Sequence, residues 1–269
     1  MILMVKIYIG TAGWDYKDWI GPFYPKLLES HDRLGFYTKF FNVIEINNTF
    51  YSLPKISTVQ NWSEQVPATF KFTVKVWQEI THNFKNANIE DAISQFFYRI
   101  SPLKGKISGF LLQFPPWFKY NEKHLRYLKY LISELPTEHR YIIELRDNSW
   151  FNEEIISEFV HGTNIAFGTT YMPGINAYYL PNQNTYYIRL IGDRKLSTFN
   201  RIQRSQEERI KDLLRNLQML EKNSNIFEIF IIVNNHFQGN APESINLLKK
   251  RLNLPIKEFN PQKKLSDYI

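Results

Sequence analysis

The chain contains no cysteine, which excludes a disulfide framework and a thiolate metal site in any compartment. A metal would have to sit on His, Asp or Glu. The sequence also lacks an apolar run of the roughly 18 or more residues that a membrane span needs. Its first ten residues, "MILMVKIYIG", are apolar but interrupted by Lys6, without the basic start and small-residue cleavage site of a signal peptide. The expectation is a cytoplasmic protein with no membrane partner. Phosphate-binding fingerprints are missing too, since "GTAGW" at 10–14 has neither the glycine spacing of a dinucleotide site nor the Lys-Ser/Thr pair of a P-loop. No repeat, low-complexity tract or Pro/Gly-rich linker divides the chain, so one domain over residues 1–269 is expected.

What is present is a large potential core, with 43% of the 269 residues hydrophobic and 21 Phe. The formal charge of +7 favours encounters with anions, including nucleic acid. The basic residues are dispersed, however, with local clusters only at 192–204 and 248–257, and such clusters usually form a solvated surface.

Short β-branched or aromatic runs recur along the whole chain: "IYIGTA" (7–12), "VIEIN" (43–47), "KFTVKV" (71–76), "GFLLQF" (109–114), "YIIELR" (141–146), "IAFGTT" (165–170), "YYIRLI" (186–191) and "IFIIVN" (229–234). Helical spacing fills the intervals near 28–41, 56–64, 89–101, 121–134, 152–160 and 203–222, and follows the last strand at 242–251. Only 171–185, with its Pro and Gly, reads as a loop, so the crossover from strand 6 to strand 7 is expected to be irregular. Eight strands alternating with helices in this length predict a TIM-type (β/α)8 barrel.

Alternation of side chains along each strand assigns lumen-facing positions. In strand 3, Phe72, Val74 and Val76 share one face, leaving Lys71, Thr73 and Lys75 inward. Strand 2 sends Glu45 and Asn47 inward, strand 5 sends Glu144 and Arg146, and strands 4 and 7 contribute Gln113 and Arg189. The last strand ends in Asn234, Asn235 and His236. Polar side chains therefore gather at the carboxyl ends of the strands, the face where barrel enzymes carry their sites.

Six ordered motifs, "GTAGWDYKDWIGPFYP" (10–25), "FNVIEINNTFYSLP" (41–54), "FKFTVKVWQEITH" (70–82), "LLQFPPWF" (111–118), "IELRDNSW" (143–150) and "VNNHFQGNAPES" (233–244), resemble the YecE-like family, domain of unknown function 72. The resemblance implies a TIM-type barrel and brings no established activity. It marks Trp14, Tyr24, Glu45, Asn47, Thr49, Tyr51, Lys75, His82, Gln113, Glu144, Arg146, Trp150, Arg189 and Asn234 as characteristic positions; of these, Glu45, Glu144 and Lys75 are the catalytic candidates and the rest the candidate substrate-binding residues. One departure follows strand 7, where the family commonly has a His-Gly pair and this chain has Ile191-Gly192.

The residues suggest a hydrolase or isomerase with Glu45 and Glu144 as acid and base. Lys75, Arg146 and Arg189 would hold a small anionic substrate, and Asn47, Gln113 and Asn234 would orient its hydroxyls. Trp14, Trp150 and Tyr51 would form walls. A Schiff-base role for Lys75 needs a lowered amine pKa, which two nearby carboxylates are expected to oppose. No cofactor is expected: two His and two Glu could in principle hold one divalent ion, but no close ligand spacing supports it. A nucleic-acid-binding or nuclease-like barrel and a non-catalytic ligand-binding barrel are the alternatives. The long connections after strands 1–3 are candidates for a lid.

Overall fold

The computed structural model describes residues 5–83 and 88–259. The expectation for the first four residues, and part of the connection after strand 3, lie outside them. Eight parallel strands close into a barrel in sequence order. They are β1 (Lys6–Ala12), β2 (Val43–Ile46), β3 (Lys71–Lys75), β4 (Ile107–Gln113), β5 (Tyr141–Glu144), β6 (Ile165–Tyr171), β7 (Thr185–Leu190) and β8 (Glu228–Val233), and β1 pairs with both β2 and β8. The helices are α1 (Arg33–Tyr37), α2 (Ile56–Glu64), α3 (Gln78–Thr81), α4 (Ile89–Ile100), α5 (Glu122–Glu134), α6 (Glu153–Val160), α7 (Glu207–Glu221), α8 (Asn235–Gln238) and α9 (Ala241–Arg251). The β6–β7 crossover contains turns and no helix, as its Pro and Gly imply. None of the described helices is long and apolar enough to cross a membrane.

Local chemistry sets the helix starts. Asn88, Asn121, Asn152 and Asn240 each accept a backbone N–H from the first turn of α4, α5, α6 and α9. Two predicted helices are shorter than their spacing suggests. The segment 28–41 is α-helical only over Arg33–Tyr37, after a 3-10 turn at Ser30–Asp32, and beyond its end Phe40 and Phe41 pack onto the ring of Phe23. Residues 203–204 precede α7 and bond through their N–H groups to the carbonyl of Gln238, so they brace the mouth of the barrel.

Side-chain parity divides the core in two. Ile44, Ile46, Phe72, Val74, Ile143, Leu145, Ile188 and Leu190 face the helices in one continuous cluster. Val43, Leu111, Ile142, Tyr187, Phe230 and Ile232 fill the lumen, with Tyr8 packed against them. Close approach of β1 to β2 requires glycine: a Cβ on Gly10 would lie 2.0 Å from the Val43 carbonyl oxygen. Above the apolar lumen layers the inward positions turn polar, and there Glu45, Lys75, Gln113, Glu144 and Arg189 are all buried.

Candidate functional site

Arg189 organises the top of the lumen. It is fully paired, its Nε and Nη2 donating to Glu45 at 2.8 and 2.7 Å and its Nη1 to Glu144 at 2.5 Å. Glu45 accepts two further bonds, from Asn47 Nδ2 and Tyr187 OH, both at 2.8 Å. Thr73 lies 2.6 Å from the same phenol oxygen. With the Tyr187 proton directed at Glu45, Thr73 must be the donor to it. Glu144 also accepts from Arg146 Nε at 2.6 Å. Burial alone would push the Glu144 carboxyl up, but the Arg146 and Arg189 guanidiniums together hold it down to about 2. Arg189 stays charged, because the two carboxylates outweigh its burial.

This wiring leaves Lys75 without a carboxylate partner among the described residues. Its Nζ donates to Gln113 Oε1 at 2.7 Å and stands 3.5 Å from the centre of the Phe50 ring. Gln113 is itself fixed, donating to the Phe114 carbonyl at 2.8 Å. Burial, then the charges of Arg189 and Arg146, lower the amine to about 7 in spite of Glu144 and Glu45. The expectation that two nearby carboxylates would keep this amine protonated is corrected: both carboxylates are neutralised by arginine, so desolvation and like charge prevail.

A cleft of about 280 Å³ opens above this layer, lined by Tyr16, Asn47, Tyr51, Lys75, Arg146, Arg189, Ile191, Arg194, Asn234 and His236. Only the Nε of Arg146 is bonded among the described residues, and the residue lines the cleft. Four cationic side chains, Lys75, Arg146, Arg189 and Arg194, stand against the two carboxylates. Tyr16 donates to the Ala12 carbonyl at 2.6 Å, and burial, with Glu45 and Tyr51 nearby, raises its phenol to about 12. His236 has a buried Nδ1 with no partner among the described residues, and burial followed by the charge of Arg194 lowers its pKa. Behind the wall, Gly192 adopts φ +78°, and a Cβ there would lie 2.1 Å from the His236 carbonyl oxygen. The β7–β8 rim therefore needs glycine at this position. No three His, Cys, Asp or Glu side chains among the described residues are grouped as metal ligands.

The family described as "Protein of unknown function DUF72" matches residues 8–267. The chain belongs to the DUF72 family. It is 24% identical to the UPF0759 protein YunF of Bacillus subtilis, over 95% of this chain and 98% of that protein. The UPF0759 protein YecE of Escherichia coli is 32% identical over 54% of this chain and 50% of its own length. Among solved structures, a DUF72 protein of Thermotoga maritima superposes with a TM-score of 0.77 at 26% identity, covering 92% of this chain and 99% of that one. A second, from Enterococcus faecalis, has a TM-score of 0.74 at 23% identity, covers 96% and 99% of the two chains, and shares the fold.

Within this DUF72 barrel the characteristic residues separate into two groups. Asn47, Tyr51, Lys75, Arg146, Arg189 and Asn234 line the cleft, with Glu45, Gln113 and Glu144 directly beneath them. The other group, expected to bind substrate, does not line this cleft; apart from half-buried His82 it is buried. Trp150 is fully buried, stacks on Phe118 and donates to the Phe118 carbonyl at 2.6 Å. Tyr24 is fully buried and donates to the Trp14 carbonyl at 2.7 Å, and Trp14 packs edge-on against Trp62. Thr49 donates to the Lys75 carbonyl at 2.7 Å and so ties the loop after β2 to the end of β3. His82 packs against Phe50 and contacts Thr81, outside the cleft. Its pKa is lowered to about 4 by burial, Lys75 and Arg146.

The acid/base candidates Glu45 and Glu144 are both wholly buried; Glu45 accepts four hydrogen bonds, from Asn47, Tyr187 and twice from Arg189, and Glu144 accepts from Arg146 and Arg189, whose charges hold its carboxyl below the ordinary range. Two lining residues and one beneath them were not selected from the sequence. Tyr187, just beneath the cleft, shares the parity of Arg189 and could have been found from it. Tyr16 lies inside the first motif, and Arg194 belongs to the basic cluster at 192–204. Ile191, which departs from the pattern the resemblance implies, lines the cleft and gives it an apolar wall at that position.

Proposed function

We propose that this protein is an enzyme of hydrolase or isomerase type acting on a small anionic, hydroxylated or phosphate-bearing substrate at the C-terminal mouth of the barrel. The observation that carries this reading is Arg146. Glu144 fixes the guanidinium through Nε, its terminal nitrogens make no hydrogen bond among the described residues, and the side chain lines a cleft with an excess of positive charge. A planar two-pronged donor held in this way suits a carboxylate or phosphate. Asn47 spends its Nδ2 on Glu45 and keeps its carbonyl oxygen for a hydroxyl, while Asn234 keeps its Nδ2 because its oxygen caps α8. Tyr51, 68% exposed at the rim, supplies a ring surface.

Lys75 is the reactive group. An amine near 7 is partly unprotonated under neutral conditions, which suits a base or a nucleophile. Glu45 and Glu144 act as positioning residues, setting the two guanidiniums and leaving Lys75 unpaired. Cleft size favours a small ligand over duplex nucleic acid.

Thermal unfolding against inorganic phosphate, phosphosugars, sugar acids and short oligonucleotides, at low and moderate salt, tests this reading. A ligand at 100 times its Kd adds about 2.7 kcal/mol, which raises Tm by roughly 2–4 °C per kcal/mol in a chain of this size. The expected result is a salt-tolerant rise with a small anion that disappears in Arg146→Ala. A response only to oligonucleotides, vanishing as salt rises, would transfer the site to nucleic-acid binding. Binding without turnover of any panel member would leave a ligand-binding barrel.

A further inference from the structure

We propose that Lys75 is a covalent nucleophile, its amine condensing with the aldehyde or ketone carbonyl of a small anionic substrate whose acid group is held by Arg146. This inference rests on the anion-binding reading above and names the substrate class for that site.

The geometry of the amine carries it. A buried lysine ordinarily finds a carboxylate, and Glu45 and Glu144 both end in the same lumen layer. Arg189 and Arg146 take up both carboxylates. Lys75 instead meets a neutral amide oxygen at 2.7 Å and an aromatic face at 3.5 Å. The amide oxygen is aimed, because Gln113 is anchored to the Phe114 carbonyl. The side chain is thus oriented, 6% exposed, and open on the side that borders the cleft and Arg146. The lowered amine pKa agrees with this arrangement, since an attacking lysine must be unprotonated.

The chemistry balances without an oxidant or reductant. The nitrogen lone pair adds to the carbonyl carbon, and the C=O π pair moves to oxygen, which takes up the proton leaving nitrogen. The carbinolamine hydroxyl is then protonated from solvent in the cleft and departs as water, leaving a protonated imine. Amine, carbonyl and one proton become iminium and water. The iminium withdraws electrons from the adjacent carbon, which suits an isomerase or a carbon–carbon lyase.

Reductive trapping on the full chain tests the inference. The protein is incubated at pH 6.5 with glyoxylate, pyruvate or glyceraldehyde 3-phosphate in the presence of cyanoborohydride, and the modified lysines are mapped by peptide mass spectrometry. At that pH an amine near 7 is about one quarter free base, whereas a surface lysine near 10.4 is free base in roughly one molecule in 10⁴. Lys75 is expected to be alkylated at least tenfold faster than any surface lysine by one of these carbonyls, and inorganic phosphate is expected to slow that alkylation. Labelling at Lys75 no faster than at surface lysines with all three probes would overturn the inference. If phosphate still raised Tm in that case, the anion-binding reading would stand alone; if it did not, both would fall.

Discussion

Replacing Glu144 by Gln removes the charge on which two buried guanidiniums converge. Sequence parity alone makes this substitution look like a test of catalysis in an otherwise intact fold. The structure changes that expectation, because Arg189 Nη1 and Arg146 Nε would both lose a charged acceptor at a wholly buried position. Breaking a buried ion pair from one side costs about 3–5 kcal/mol. We expect Glu144→Gln to lose about 3 kcal/mol at pH 7, measured by urea unfolding. The loss has a defined pH dependence. Glu144 titrates near 2 in the folded chain, against an ordinary value of 4.5. Its stabilising contribution is therefore complete above about pH 4.5 and is lost as pH falls through 2. The gap between wild type and variant should narrow over that window, as the wild-type carboxyl becomes protonated. A gap that stays constant from pH 7 to pH 2.5 would show that Glu144 is not held by the two arginines.

At the scale of elements, strand ends and the connections that brace them have different origins, and this explains what could be read from sequence. The period-2 alternation of β2, β3, β5 and β7 is a backbone property, so the inward set Glu45, Lys75, Glu144 and Arg189 was legible before any coordinates. The partners within that set were not. Whether Lys75 would pair with Glu45 or with Glu144 depends on barrel closure, which brings β2 and β5 onto one side chain of β7. The roles of Trp150, Tyr24 and Thr49 were misread for a related reason: a motif marks a position without saying which way its side chain points. Trp150 follows β5 in a short 3-10 turn and folds back beneath the mouth onto Phe118. Trp150→Phe should therefore cost about 1–3 kcal/mol through the lost hydrogen bond and volume, while the response to a bound anion remains. Loss of ligand response with unchanged stability would return Trp150 to the cleft wall.

Across the whole molecule, positive charge is distributed by two separate causes. The cluster at 249–251 lies in the last turn of α9, where Lys249, Lys250 and Arg251 complement the helix dipole, and Arg251 also pairs with Glu207. Such placement is a structural use of positive charge. The charge that bears on function is smaller in amount and fixed in place. Arg189 is neutralised by two carboxylates, Arg146 is half-used, and Lys75, at the foot of a cleft of about 280 Å³, has no carboxylate partner among the described residues. The barrel holds these groups in register because each sits at or just beyond the end of a strand.

The most direct measurement of this account is the crystal structure of the protein soaked in arsenate, a phosphate surrogate whose arsenic can be located by anomalous scattering. The account predicts an arsenic peak in the cleft with oxygens within hydrogen-bonding distance of Arg146 Nη1 or Nη2 and of Lys75 Nζ. An empty cleft at saturating arsenate, or an anion bound elsewhere with Arg146 unoccupied, would contradict it.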